Sequence, residues 1–580
     1  MPAIYIECAC ALELQVNKEA QTPKRARLQL LQGTVPKWEK LRRHDTDDSE
    51  KAALISSVLE EAKGQLSQLT SSHTGARVIQ ACAKHGSQED RNALLEEILP
   101  NLLDLAKSPY GHFTVSKLIE LLPKANLPGV LKTFQGHIGF LLRHPCGASV
   151  VNVLYDRCDT AQRDRMAAEL YGKEYTVLTQ EAAPGSLEEA LSGLAPPQRR
   201  AVLQRLHLHL HPIMEKAMVD PHLTHRLLAE YLRESSGGAV ADAVEMLAGP
   251  ALLRMVHTRH GAHVGCAVLA YGSPKDRKKA VKALKGHVKT MATDDWAHIV
   301  LMAALSHTDD TALLLKAIVP ELLANAEELC QHKCGVRIFL NLLDPLSGRH
   351  LPPHVVNLLK LPAKTLPAKR TAEAADAEVA HPPADSEAQI LGASKKSTDV
   401  RRTEILGSGD GSLAHALTSA CREHAHAWLR QPVTSGLVAE VARRGAGGLL
   451  PEGDAASGVG AVHEAIIADA ALPREQGGDA PAATTGKAAS TTGLQPAHLL
   501  EDWHGSRAMR TLIKHAKDGG PSGAAAQSLT EALWARAMEP RIKDWLQSAH
   551  ARKVLLAVKD VLAPSSKGYS ALAQLDTTSK

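Results

Sequence analysis

A glycine returns at 36-residue intervals near the start of this chain, and each time it opens the same pattern. SSHTGARVIQACAKHGS (71–87), SPYGHFTVSKLIELLPK (108–124) and RHPCGASVVNVLYDRCD (143–159) align without gaps on Gly75, Gly111 and Gly147. Copies follow at 257–273, 331–347 and 502–518, with weaker ones from Asp220 and Asp294. A fixed period of this size marks a solenoid, in which each unit contacts its neighbours and cannot bury its apolar face alone. A second landmark keeps the same register. His85-Gly86-Ser87 and Tyr271-Gly272-Ser273 each precede an Asp and an Arg, and Arg91, Arg163, Arg199 and Arg277 stand 72, 36 and 78 residues apart. Gly86 and Gly272 are expected to end a helix in the left-handed conformation, with Ser87 and Ser273 capping the next one.

Within a unit, Val78, Ile79 and Cys82, then Leu94, Leu95 and Ile98, form helical apolar stripes. Aromatic residues make up only 3% of the 580 residues, which favours helices packed through aliphatic side chains over a sheet. The expectation is an all-α helical-repeat solenoid with one helix per unit lining a common face. Residues 36–250 and 251–580 form its two arms, and residues 1–35 a tail. Two stretches, 361–398 and 473–497, are rich in Pro, Ala, Gly and Thr and poor in bulky apolar residues, so they are expected to be flexible insertions.

Nine cysteines include no CxxC pair, as expected in a reducing compartment. No uncharged apolar run approaches the ~18 residues of a membrane span. The first twenty residues resemble neither a secretory signal nor an Arg-rich transit peptide.

The unit with H-x-x-G-x-R-V-I-Q resembles a Pumilio/Puf repeat. Lys37-Trp38-Glu39-Lys40-Leu41-Arg42-Arg43, and the block 255–360 followed by Asp399-Val400-Arg401-Arg402-Thr403-Glu404-Ile405-Leu406, resemble the nucleolar Puf-A/Penguin subfamily with its C-terminal CPL region. The likeness covers roughly residues 36–560. It implies an L-shaped array of about eleven Puf-like repeats, nucleolar residence, association with pre-60S particles, and nucleic-acid binding without strict base specificity.

Puf repeats read one base with three side chains of the inner helix, two at its edge and one stacked on it. The resemblance places Ala76, Arg77 and Gln80 there in the first repeat, a set similar to the adenine reader. His112, Phe113 and Ser116 follow in the second, and Ala148, Ser149 and Asn152 in the third. Later units offer Ala262, His263 and Cys266; Ala297, His298 and Leu301; Val336, Arg337 and Leu340; and Arg507 in the copy at 502–518. Cys or Leu replaces the polar edge reader in three of these, so the base code is expected to fail over most of the array.

Charge supplies a second handle. Net charge is only +4, so an electrostatic surface must come from clustering. Residues 275–289 hold seven Lys or Arg against Asp276, with Lys278, Lys282 and Lys285 on one helical face. Like charges so arranged repel unless an anion such as a phosphate backbone is present. Lys24-Arg25-Ala26-Arg27 is a candidate import signal. His207, His209 and His211 alternate, so only two share a helical face, and no metal site is indicated. No phosphate loop, HExxH or nucleophile–base pair is present, so catalysis and a cofactor are not expected. Two functions remain. One is a non-catalytic factor of large-subunit ribosome biogenesis in the nucleolus or nucleus, binding precursor rRNA or mRNA. The other is a protein-binding scaffold of the HEAT or armadillo kind.

Overall fold

The computed structural model describes residues 29–175, 183–366, 389–473, 497–563 and 567–573. Among these residues every regular element is helical, and the one strand-like contact is a bridge between Thr365 and Ile390. The 1–28 part of the tail, with its basic cluster, lies outside them.

The helices used below are α1 (His73–His85), α2 (Gln88–Ile98), α3 (Gly111–Leu121), α4 (Pro145–Arg157), α5 (Thr160–Tyr171) and α6 (His222–Glu234). Then come α7 (Gly237–Leu247), α8 (Arg259–Tyr271), α9 (Pro274–Leu284), α10 (Ala297–His307) and α11 (Gly335–Leu343). Last are α12 (Pro353–Leu359), α13 (Thr398–Leu406), α14 (Ser435–Ala442), α15 (Trp503–Lys514) and α16 (Ala549–Lys559). Contacts divide the chain into two compact units, one ending at Ser235 and the other starting at Ser236. In the first, α1, α3, α4 and α6 pack in succession as an inner row; in the second, α8, α10, α11, α14, α15 and α16 do so, with α7 packed on α8. The division falls earlier than residue 250 because α7 packs on α8.

The 36-residue glycine has a steric cause. A Cβ on Gly75 would lie 2.1 Å from the carbonyl oxygen of Leu69, on Gly261 1.9 Å from that of Met255, and on Gly335 2.6 Å from that of Leu329. In each case the carbonyl belongs to the residue six positions earlier, where a short helix hands over to the inner one. The residue three before the glycine caps the inner helix. Ser72 Oγ, Ser108 Oγ, Thr258 Oγ1 and Asp502 Oδ1 accept from the N–H of Gly75, Gly111, Gly261 and Gly505 at 3.2, 3.1, 3.0 and 2.7 Å. Such a bond satisfies one of the orphan donors of the first turn.

Gly86 and Gly272 depart from expectation. Their φ values are −71° and −64°, extended and not left-handed. Close approach excludes a side chain instead: a Cβ would meet Cys82 O at 2.6 Å and Val268 O at 2.4 Å. Ser87 and Ser273 do cap the next helices, each in a reciprocal box with Asp90 and Asp276.

The periodic arginines clamp the ends of inner helices. Arg91 Nε donates to Ala83 O (2.8 Å), Arg163 Nε to Tyr155 O (2.8 Å) and Arg277 Nε to Leu269 O (2.7 Å), each eight residues back. Arg199 breaks the series and faces Glu234 at 3.8 Å. Its work on a later repeat is done by Arg402 of α13, which donates to Leu342 O (2.5 Å) and Leu343 O (2.6 Å) at the end of α11. Outer-row glutamates add a staple that sequence reading missed. Glu97, Glu169 and Glu321 each accept from two backbone N–H groups, those of Gly64 and Leu66, Gly136 and Ile138, and Gly286 and Val288.

The stretch 361–398 is not free at its ends. Leu366 N–H donates to Gln389 O and Leu391 N–H to Lys364 O, both at 2.8 Å, and Ser394, Lys395 and Arg401 converge on Asp309. Backbone pairing and a carboxylate anchor hold what apolar composition alone could not. The interior of that stretch (367–388), and 474–496 of the second, lie outside the described residues.

Candidate nucleic-acid interface

Counting from the cap gives every inner helix one frame. The residue four after the cap is buried, and those five, eight and twelve after it form a stripe alongside it. In α1, α3 and α4 these are Arg77, Gln80 and Lys84; Phe113, Ser116 and Glu120; and Ser149, Asn152 and Asp156, all exposed or half-buried, whereas the first of them in α6, Arg226, is buried. Phe113 is 57% exposed. The stripe therefore presents an Arg and an aromatic ring in the stacking place of adjacent helices, with Gln80 at the edge-reading place. Lys84 belongs to it and was not foreseen, although it lies seven residues from Arg77.

Two expected readers serve the fold instead. His112 is buried, donates from Nδ1 to Ser108 O at 2.9 Å, and lies with its ring 3.8 Å from that of Phe113. It supports the platform and does not face the groove. Asn152 Oδ1 accepts from the backbone N–H of His222 at 2.8 Å, and Asp156 meets the same residue's Nδ1 at 2.7 Å. Together they hold the start of α6 against α4.

In the second unit the stripe is filled. Cys266, Ile299, Met302 and Leu340 occupy stacking or edge places and are all buried. His298 stands one place earlier than the sequence alignment put it, because Ala297 replaces the glycine of that repeat. It corresponds to His112, bonds Asp294 O through Nδ1 at 2.9 Å, and is fully buried. Burial pushes it down to about 4, so it is neutral at physiological pH. His263 and Arg337 are half-buried at stacking places.

The chain itself covers these helices. Helix α12 packs on α8 and α10, burying Leu351, Val355, Leu358 and Leu359. Asn341 accepts from Leu346 N–H (3.1 Å), and Tyr271 donates its hydroxyl to Pro362 O (2.8 Å). An ion-pair cluster fixes the start of this plug. His350 Nε2 lies 2.8 Å from Glu440, while Arg443 reaches Glu440 at 2.6 Å and Asp344 at 3.3 Å. Burial pushes the Glu440 carboxyl up, but His350 and Arg443 outweigh it and hold it below the usual carboxylate range. Asp344, His350 and Glu440 lie close enough together to hold a cation. Arg443 and Arg349 already take those carboxylates, so the cluster reads as a closed network.

Lys278 and Lys282 of α9, with Lys285 at its C-cap, are exposed, and among the described residues no carboxylate pairs with them. Lys275, Lys279 and Lys289 do meet acids, and Arg277 is the buried clamp, so the free charge is smaller than the sequence count. The face lies on the outer row, apart from the stacking stripe. Arg507 of α15 is exposed and lies over the ring of Trp503 at 5.4 Å.

Anchors, caps and clamps in this register, around an inner row with stacking and edge places, define a Puf-type helical-repeat array. The NOP9-like PUF repeat domain matches residues 12–336, more than half of the chain, and the protein belongs to that family. It is 31% identical to Pumilio homolog 24 of Arabidopsis thaliana over 563 residues, covering 93% of this chain and 83% of that one. It is 26% identical to Pumilio homolog 3 of Homo sapiens over 505 residues, covering 85% and 68%. The fold is similar to that of the crystal structure of human Puf-A, with TM-score 0.72, 24% identity, and 95% and 97% of the two chains covered. A crystal structure of human Puf-A in complex with DNA gives TM-score 0.69 at 24% identity.

Proposed function

We propose that this protein binds single-stranded RNA along the open stripe of its first unit, with little base discrimination, and that it acts without catalysis in large-subunit ribosome assembly in the nucleolus. The observation that carries the reading is the pair Arg77 and Phe113, solvent-facing stacking groups on neighbouring helices, with Gln80 beside them. Family membership and a Puf-A crystal structure containing DNA support nucleic acid as the ligand class. Precursor rRNA is the proposed target and mRNA the alternative. Base–aromatic stacking contributes ~1–3 kcal/mol per base. Phe113→Ala should therefore weaken binding of a ten-nucleotide RNA by at least about fivefold in fluorescence anisotropy, while scrambling the RNA changes little. A preference of ~10³ for one sequence, the scale of specific recognition, would refute the reading.

Phosphate contacts from the outer lysine face make a second expectation. Each neutralised contact on a single strand is worth ~0.7 in the slope of log affinity against log salt, so Lys278→Gln/Lys282→Gln/Lys285→Gln should lose about 2 units of slope. Its melting temperature should hold, since exposed like charges contribute little. An unchanged slope would remove this face from the interface.

One observation favours the scaffold reading in part of the molecule: α8 and α10 already hold a segment of polypeptide, with α12 packed on both. That region is suited to protein and not to bases.

A further inference from the structure

Helix α15 restores what the plug takes away. Its cap, Asp502, sets the same frame as in the first unit, so the places five, eight and twelve residues on are Arg507, Arg510 and Lys514. Arg507 and Lys514 are exposed and Arg510 half-buried. Among the described residues no carboxylate lies within ion-pair distance of any of the three. Trp503, one turn before Arg507, is 53% exposed in a chain with only six tryptophans. Its ring sits beneath the Arg507 guanidinium and edge-on to His504, at 4.6 Å. The neighbouring helix α16 packs on α15 and puts Lys553, also exposed, at its own stacking place.

The first unit shows the same arrangement with one informative difference. His73, Arg77, Gln80 and Lys84 of α1 correspond in spacing to Trp503, Arg507, Arg510 and Lys514 of α15. The amide that could read a base edge is replaced by a guanidinium, which donates but cannot accept. A row of three cations with one indole, and no edge reader, matches a polyanion whose bases have π-faces, in any order.

We infer that α15 and α16 form a second, separate single-stranded nucleic-acid site, in which one base stacks on Trp503 and Arg507, Arg510 and Lys514 take successive phosphates without reading sequence. It rests on the proposal that the protein binds RNA. It adds that the molecule holds its ligand at two places in the chain, between which Cys266, Ile299, Met302 and Leu340 bury the stacking and edge places.

The test uses the full-length protein, fluorescein-labelled oligouridylate and oligoadenylate 12-mers, and an anisotropy titration over a salt series. Four forms are compared: the natural protein, Arg77→Ala/Phe113→Ala, Arg507→Gln/Arg510→Gln/Lys514→Gln, and the combination. The α15 triple variant should lose about 2 units of salt slope and bind both oligomers at least fivefold more weakly to the same degree. The combined variant should be weaker than either alone. Trp503→Leu should remove the RNA-dependent quenching of indole emission, and it decides the matter if the triple variant does not fold. Unchanged slope and affinity in the α15 variants, with a clear loss in Arg77→Ala/Phe113→Ala, overturn this inference and leave the proposed function standing. If the natural protein binds neither oligomer, the RNA reading fails as well.

Discussion

Replacing Gly261 by alanine should destabilise the second unit by about 3 kcal/mol, the upper end of what overpacking costs. The new Cβ would sit 1.9 Å from Met255 O and 2.5 Å from its carbonyl carbon, so backbone and not a flexible side chain must give way. Shifting α8 would in turn disturb α10, which packs directly on it. Gly129 makes the control. It lies within the helix Leu127–Phe134, and a Cβ there meets nothing within 4 Å. Gly129→Ala should be neutral or raise stability by ~0.5–1 kcal/mol through helix propensity. Denaturant midpoints of the two variants check both signs. Equal midpoints would mean that the repeat glycine is retained for some reason other than contact.

Loss of the Arg402 side chain should also be costly. Arg402 is 5% exposed and satisfies Leu342 O, Leu343 O and, at 3.1 Å, Ala446 O, while its third nitrogen meets Asp399 at 2.9 Å. Arg402→Ala strands Leu342 O and takes one partner from Leu343 O, which keeps the Ala446 N–H at 2.7 Å, for a loss of ~1–3 kcal/mol, the cost of leaving a buried acceptor unpaired. Arg402→Lys should recover only part of it, because one ammonium cannot reproduce the planar fork that spans two helix-end carbonyls. Arg91→Ala should cost less, since Arg91 makes one short bond and one of 3.4 Å. A midpoint for Arg402→Ala as close to the natural one as that of the exposed Lys282→Gln would refute the clamp.

What the sequence made legible was short-range. Cap, anchor glycine and clamp arginine act over three to eight residues, so their spacing survives in the string, and with it the solenoid and the Arg77, Gln80 and Phe113 stripe. Errors came where a contact is long-range or a landmark is replaced. Ala297 in the place of glycine moved His298 by one residue and turned a buried prop into an expected reader. Asn152 has the right chemistry for a base edge, but the turn before α6 reaches it first. Nothing local in α8 or α10 says that α12 will pack on them, though the apolar character of Cys266 and Met302 foreshadowed the loss of the code. Arg510 and Lys514 were recoverable, since they follow Arg507 at the spacing by which Gln80 and Lys84 follow Arg77.

The clamp from α13 also bears on the order in which this chain matures. Arg91 closes its repeat with carbonyls seven and eight residues behind it, whereas Arg402 must return to carbonyls 59 and 60 residues behind. Closing the longer span costs ~1.8 kcal/mol more in chain entropy by the logarithmic law. A ribosome delivers the chain from its N-terminus, so the first repeats can lock as they emerge. The end of α11 stays hydrated until residue 402 has left the tunnel. A nascent chain stalled before that point would carry a finished first unit and an open second one. That junction is where a chaperone, or a protease, would have its longest opportunity.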